Sequence, residues 1–188
     1  MSVAAARPSA ANPDVSDLLT RARAIAELAR ERAQQTEADR RVGDDMIERM
    51  RQAELFRVMQ PRSYGGLEHG FDVFAPIVAA IASGCGSTGW VYALLASHQW
   101  LIACFSKAAQ DEVWQERTAL AAGTYAPVGQ AVAVDGGYRL SGAGGFCSGF
   151  DKIVAFKIFA AQRNEQFTRF KRARIGADLI EYDSPVTG

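Results

Sequence analysis

Residues Ala119 to Asp151 read ALAAGTYAPVGQAVAVDGGYRLSGAGGFCSGFD, and here the periodicity of the chain changes from helical to alternating. Two short strand-like runs, Ala131-Val132-Ala133-Val134 and Tyr138-Arg139-Leu140-Ser141, are joined by Asp135-Gly136-Gly137, which supplies the positive-φ residues of a tight hairpin turn. Gly-rich loops flank the hairpin, Gly123-Thr124-Tyr125-Ala126-Pro127 before it and Gly144-Gly145-Phe146-Cys147-Ser148-Gly149 after it. Loops of small and hydroxylated residues let a flat ligand approach backbone N–H and C=O groups that larger side chains would obstruct.

Upstream, apolar residues recur at helical spacing. Val15, Leu18, Leu19, Ala22, Ile25, Ala26 and Ala29 mark one face of a first helix, with Asn12-Pro13 as its cap and first turn. Gly43-Asp44-Asp45 opens a second helix through Met46, Ile47, Met50 and Leu55, which the proline at 61 ends near Val58 to Gln60. A third runs from about Phe71 to Ala82 and a fourth, apolar nearly all round, from about Ser87 to Phe105. Ser106 caps a fifth, Lys107 to Glu116. Past Asp151, Ile153 to Ala160 reads as one more strand, and residues 162–188 show no clear period. The expected layout is a flexible tail (1–13), a helical domain (14–118), a partial β domain (119–161) and an irregular tail (162–188).

Composition narrows the function. The 188 residues carry 21 Lys plus Arg against 21 Asp plus Glu, so no global charge draws the chain to nucleic acid or an anionic membrane. No run reaches transmembrane length. Three cysteines without CxxC spacing indicate reduced thiols in a cytoplasmic protein, with no metal site expected.

Two local motifs give way to plainer readings. Gly84-Cys85-Gly86-Ser87-Thr88-Gly89 fits G-x-G-x-x-G, but helical sequence precedes it, so no β-α-β unit can be laid out and a helix–helix corner is expected. Gly145-Phe146-Cys147-Ser148-Gly149 fits a nucleophile elbow, which requires a histidine downstream; His69 and His98 both lie upstream. His98, mid-helix among residues that read as buried, is either a satisfied core imidazole or a proton acceptor. The three tryptophans are by default packing aromatics.

Several ordered motifs nonetheless converge. Leu55-Phe56-Arg57-Val58-Met59-Gln60-Pro61, Tyr64-Gly65-Gly66, Ser87-Thr88-Gly89-Trp90, the helix bearing His98, Ala126-Pro127-x-Gly129, Gly136 to Gly142 and Phe146-x-Ser148-Gly149 together resemble the oxygenase component of two-component flavin-dependent aromatic monooxygenases of the p-hydroxyphenylacetate hydroxylase type. The likeness covers roughly Val15 to Asp151. It implies an α+β architecture: an N-terminal helical domain of acyl-CoA dehydrogenase type, then a partial antiparallel β domain, with the family's C-terminal helical bundle, which mediates its homotetramers, missing.

The resemblance also implies a site. Trp90 would lie against a flavin ring, Thr124, Tyr125 and Ala126 would bond its edge, and Cys147, Ser148 and Gly149 would close over its reactive face. Ser148 matches the family serine near the flavin N5, and His98 the histidine that contacts the phenolic substrate. Reduced FMN or FAD would come from a separate flavin reductase and react with O2 to a C4a-hydroperoxyflavin that hydroxylates the aromatic ring. The sequence departs from the family where Ala143-Gly144-Gly145 replaces a bulky residue before Phe146. Two alternatives stay open: an acyl-CoA dehydrogenase-like flavoprotein binding a thioester, against which Tyr125-Ala126-Pro127 stands in place of Thr-Glu-Pro, and a non-catalytic remnant of the family.

Overall fold

The computed structural model describes residues 13–124, 129–134, 137–142, 148–149, 155–158, 161–162, 165–166, 174–176 and 179–185. Helix α1 (Val15–Glu31) starts at Asp14, whose Oδ1 accepts the Asp17 N–H at 2.7 Å; the cap therefore falls on Asp14 and not on Asn12, which lies outside the described residues. Leu18, Ala22, Ile25, Ala26 and Ala29 are buried along one face, while Val15 at its end is exposed. The short α2 (Ala33–Ala38) follows after Arg32, where the polar run interrupts the first helix.

Helix α3 (Asp44–Gln52) buries Met46, Ile47 and Met50, then stops several residues before the expected Val58. The cause is Glu54, held at φ 63°, a left-handed backbone that an ordinary residue adopts at a cost. Its carboxylate is gripped from two directions, by the Arg21 guanidinium at 2.9 Å and by that of Arg57. Arg21 also bonds Asp17, and hydrogen bonds to Asp17 and then Glu54 hold its pKa above the ordinary arginine value. The turn redirects the chain into a 3₁₀ segment (Leu55–Arg57) that sends Leu55 and Phe56 into the core, followed by a second at Arg62–Tyr64.

Helices α4 (Phe71–Gly84) and α5 (Gly86–Ala103) meet at Cys85, the single extended residue between them. The G-x-G-x-x-G sequence is thus a helix–helix corner, as expected. A Cβ on Gly84 would stand 2.0 Å from the Ala26 carbonyl oxygen of α1, and one on Gly89 would stand 2.6 Å from Ala82 Cα of α4. Gly84 and Gly89 thus serve close helix packing. Helix α5 buries residues around most of its circumference, Thr88, Tyr92, Leu95, His98, Gln99 and Ile102 among them, which accounts for its apolar sequence. Tyr92 donates its hydroxyl to the Leu55 carbonyl at 3.1 Å, and burial pushes its pKa far up, so it stays a neutral structural donor. The main core joins α1, α3, α4, α5 and the first 3₁₀ segment; a second, smaller one gathers Tyr64, Ile102, Ala109, Val113 and Trp114 under α6 (Lys107–Val113). No helix among the described residues is long and apolar enough to cross a membrane.

Strand β1 (Ala121–Thr124) packs on α5 and pairs in parallel with β4 (Ala155–Ile158), Thr124 opposite Ile158. Between them β2 (Gly129–Val134) and β3 (Gly137–Gly142) form the expected hairpin, with Val134 opposite Gly137. The sequence reading anticipated antiparallel pairing throughout, and the β1–β4 ladder differs because the intervening residues return the chain in its original direction, as parallel pairing demands. Residues 162–188 also differ from the irregular stretch expected. Beyond the short pair β5 (Ala161–Gln162) and β6 (Glu165–Gln166), β7 (Arg174–Gly176) pairs with β8 (Leu179–Pro185), which extends the hairpin sheet in the order β2-β3-β8-β7. Ile180 and Tyr182 are good strand formers at period two, a signal masked by the scattered basic residues around them.

Candidate active site

Helix α5 carries Trp90 and His98, two of the residues expected at a site. Trp90 is 62% exposed, so its ring is presented and not used to fill the core. Its indole Nε1–H donates to Ser148 Oγ at 3.2 Å, a contact between residues 58 apart in sequence. The next residue, Gly149, has φ 77°, and a Cβ there would lie 2.9 Å from Leu95 Cδ2. The Ser148-Gly149 turn is therefore laid directly on α5, anchored at Trp90 and at Leu95, and only glycine tolerates both the backbone angle and the approach.

His98 lies further along the same helix, past Leu95. Successive helix residues advance about 100° around the axis, so relative to Trp90 the side chain of Leu95 is at about 140° and that of His98 at about 80°. The imidazole thus leaves α5 in the angular sector bracketed by the two anchors of the Ser148-Gly149 turn, about 12 Å along the axis from Trp90. It is buried, and its Nδ1 bonds the Leu94 carbonyl of its own helix. A carbonyl only accepts, so Nδ1 carries the proton and the lone pair of the neutral ring resides on Nε2.

Side chains that the sequence reading passed over set the position of β1. Gln99 donates to the Ala119 carbonyl at 3.1 Å and accepts from Trp114 Nε1 at 2.9 Å; Gln60 donates to the Arg117 carbonyl at 2.9 Å, and Arg51 to that of Thr118. Residues 117–119 are therefore clamped carbonyl by carbonyl onto α5 and the α3 region, immediately before the strand that ends in Thr124. A usable signal was present: Gln60 and Gln99 sit among apolar neighbours, and a buried amide must find partners. Of the three tryptophans, Trp114 is the packing aromatic, whereas Trp90 and Trp100 are exposed.

The structure brings Trp90, Ser148 and Gly149 together on α5, sets His98 on the adjoining face, and places Thr124 at the end of β1. Tyr125, Ala126 and Cys147 lie outside the described residues. A cavity of about 440 Å³ adjoins Trp90, lined also by Thr36, Glu37, Arg40, Gly86 and Ser87; neither His98 nor Ser148 is among its described lining.

Residues 13–121 match the family model for the acyl-CoA dehydrogenase N-terminal domain. The chain belongs to the acyl-CoA dehydrogenase family. Among its relatives are oxygenase components of flavin-dependent hydroxylases, in agreement with the motif reading. It is 43% identical over 146 residues to the FADH(2)-dependent resorcinol hydroxylase oxygenase component of Rhizobium sp. (strain MTP-10005), covering 77% of this chain and 36% of the relative. It is 37% identical over 166 residues to the p-hydroxyphenylacetate 3-hydroxylase oxygenase component of Acinetobacter baumannii, covering 85% and 39%. The crystal structure of the HsaA monooxygenase from M. tuberculosis superposes with a TM-score of 0.75 at 35% identity over 78% of this chain and 40% of that one. This acyl-CoA dehydrogenase family chain thus spans little more than a third of the length of the relatives it matches.

Proposed function

We propose that the chain contributes the substrate and flavin-facing helical wall of a two-component flavin-dependent monooxygenase that hydroxylates a phenolic substrate. The observation that carries this reading is the exposed Trp90 indole on α5 bonded to the half-buried Ser148 hydroxyl, with the buried His98 imidazole two turns further along the same helix. That donor set fits a planar heteroaromatic cofactor beside a phenol. The names of the relatives, which are oxygenase components of aromatic hydroxylases, point the same way.

A reduced flavin, when bound, supplies the electrons that activate O2 and the electrophilic oxygen delivered to the ring. The protein residues do the rest. Trp90 and Ser148 would hold the flavin, the one by its exposed ring and the other by its hydroxyl, and Gly149 keeps their turn close to α5. By the family resemblance, Thr124, Tyr125, Ala126 and Cys147 would add further contacts. His98 draws the proton from the phenol through Nε2, which makes the ortho carbon more nucleophilic; proton transfer by a placed side chain is worth roughly 10²–10⁴ in rate. The apolar wall of α5 excludes water from the reacting atoms. Reduced FMN or FAD would arrive from a flavin reductase partner, and the strands from Ala119 onward would form the β portion of the pocket.

Anaerobic titration of the purified chain with reduced FMN and FAD, followed by aerated turnover of resorcinol or a simple phenol, tests this. Saturable binding of reduced flavin and hydroxylated product are expected. An absence of flavin binding would overturn it, and stabilisation by acyl-CoA esters but not by phenols would favour the thioester reading instead.

A further inference from the structure

We propose that the cavity between the Arg62–Tyr64 turn and the residues leading into β1 binds a small phosphate monoester by its phosphate group. None of the residues involved is among those expected to touch the flavin, so the inference stands apart from the cofactor reading.

The cavity measures about 460 Å³, and its lining includes Arg57, Gln60, Arg62, Arg117 and Thr118 with the turn glycines Gly65 and Gly66. Three arginines and no acid line it, in a chain whose charges otherwise balance. The arginines come from separate segments: Arg57 from the first 3₁₀ segment, Arg62 from the second and Arg117 from the clamped stretch before β1. They converge on Gly65. Its N–H bonds the Arg62 carbonyl at 2.9 Å, its carbonyl accepts Arg57 Nε–H at 2.7 Å, and Arg117 Cδ and Nη1 lie 3.7 Å from where its Cβ would stand. The turn is also fixed from behind, since a Cβ on Gly66 would lie 1.8 Å from the Gln60 carbonyl oxygen.

Charge decides what such a cavity takes. Glu54 engages Arg57 Nη1, so Arg57 contributes a fixed edge more than a free charge. Arg62 and Arg117 are exposed, and their guanidinium groups have no acid partner among the described residues. Two carboxylates close in sequence accept other donors: Glu68 takes the Arg62 backbone N–H at 2.8 Å and Glu116 the Thr118 hydroxyl at 3.0 Å. Two unpaired cations in one cavity repel each other, and a dianion between them removes that repulsion. A planar carboxylate is satisfied by one guanidinium fork, whereas the oxygens of a tetrahedral phosphate accept from cations that arrive from different directions. The volume favours an ester over the free anion: it falls within the roughly 300–1,000 Å³ that houses small organic ligands, and a lone oxyanion would leave most of it to water. Once bound, the ligand would join the Arg62 turn to the stretch that Gln60 already holds through the Arg117 carbonyl at 2.9 Å.

Calorimetric titration of the full chain at fixed ionic strength tests this, with ribose 5-phosphate, inorganic phosphate and succinate as probes. Ribose 5-phosphate is expected to bind saturably, one per chain, and more tightly than either other probe. Arg62→Gln and Arg117→Gln should each weaken it about tenfold or more, the loss of one charge-assisted hydrogen bond, and Arg23→Gln, which removes the same charge from an exposed position on α1, by less than twofold. The clamp uses the backbone carbonyl of Arg117 and not its side chain, and Arg62 is exposed, so both variants should keep the fold, which circular dichroism checks. Arg62→Lys, which keeps the charge and loses the fork, should fall between wild type and Arg62→Gln. The proposal is overturned by an absence of saturable ribose 5-phosphate binding, or by equal weakening in Arg23→Gln, which would reveal bulk charge alone. Succinate binding as tightly as the ester overturns the phosphate assignment, and inorganic phosphate binding as tightly overturns the ester.

Discussion

His98 illustrates how much a single hydrogen bond specifies. The bond from Nδ1 to Leu94, one turn back on the same helix, fixes the tautomer before any substrate arrives. Free histidine prefers to carry its proton on Nε2, so the ring is held in its less common form. Long-range ¹H–¹⁵N correlation at neutral pH is expected to show a protonated Nδ1 and a bare Nε2. Substitution His98→Gln keeps polarity and removes the base, and it should lower the rate of phenol hydroxylation by roughly 10²–10⁴ while leaving flavin binding within a few-fold. An unchanged rate would remove His98 from the chemistry and return it to the core. The position of this histidine on an apolar helix was legible in the sequence. Its tautomer was not, because that follows from ring orientation, and neither was the Trp90–Ser148 contact, which joins residues 58 apart.

At the level of elements, the corner between α4 and α5 shows which glycines are structural. Gly84 meets backbone of α1 at 2.0 Å where a Cβ would go, Gly89 meets Ala82 at 2.6 Å, and Gly86 meets nothing within 4 Å. Substitution Gly84→Ala is therefore expected to destabilise the chain by more than the ~1–3 kcal/mol typical of overpacking, since backbone cannot step aside as a side chain can. Gly86→Ala, at the first position of α5, should be neutral or slightly stabilising. Urea midpoints of the two variants check this directly, and equal losses would count against the corner as described. The corner was readable from sequence because helical spacing ran up to it on both sides. The end of α3 was not, because the left-handed Glu54 is held by Arg21 from 33 residues away, and no local pattern encodes that partner.

For the molecule as a whole, the notable imbalance is aromatic. Phe71 is 51% exposed and Trp100 45%, and their rings meet edge to face at 5.5 Å, with Phe74 a further 5.7 Å from Phe71. Clustered rings on a surface bind apolar dyes, unlike singly scattered ones. Anilinonaphthalene sulfonate fluorescence is expected to rise with the chain and to fall in Phe71→Ser without loss of helical circular dichroism; equal fluorescence in the two would show that the dye sits elsewhere. The helical domain was largely legible because amphipathic periodicity is a local property. Beyond Thr124 the hairpin and the Ile153 to Ala160 run, within which β4 falls, were legible, but β8 was not, since its partnering with β3 joins segments from opposite ends of the β region.

The clamp on residues 117–119 has one last consequence. From Ala119, tethered to Gln99, the chain covers five residues to Thr124, about 17 Å of extended backbone. That span works as a ruler measured from a pinned zero mark beside His98. Adding or removing one residue within it would carry Thr124 about 3.3 Å along and rotate it to the other face of the strand, so the segment tolerates exchange of its small side chains but no change in its length.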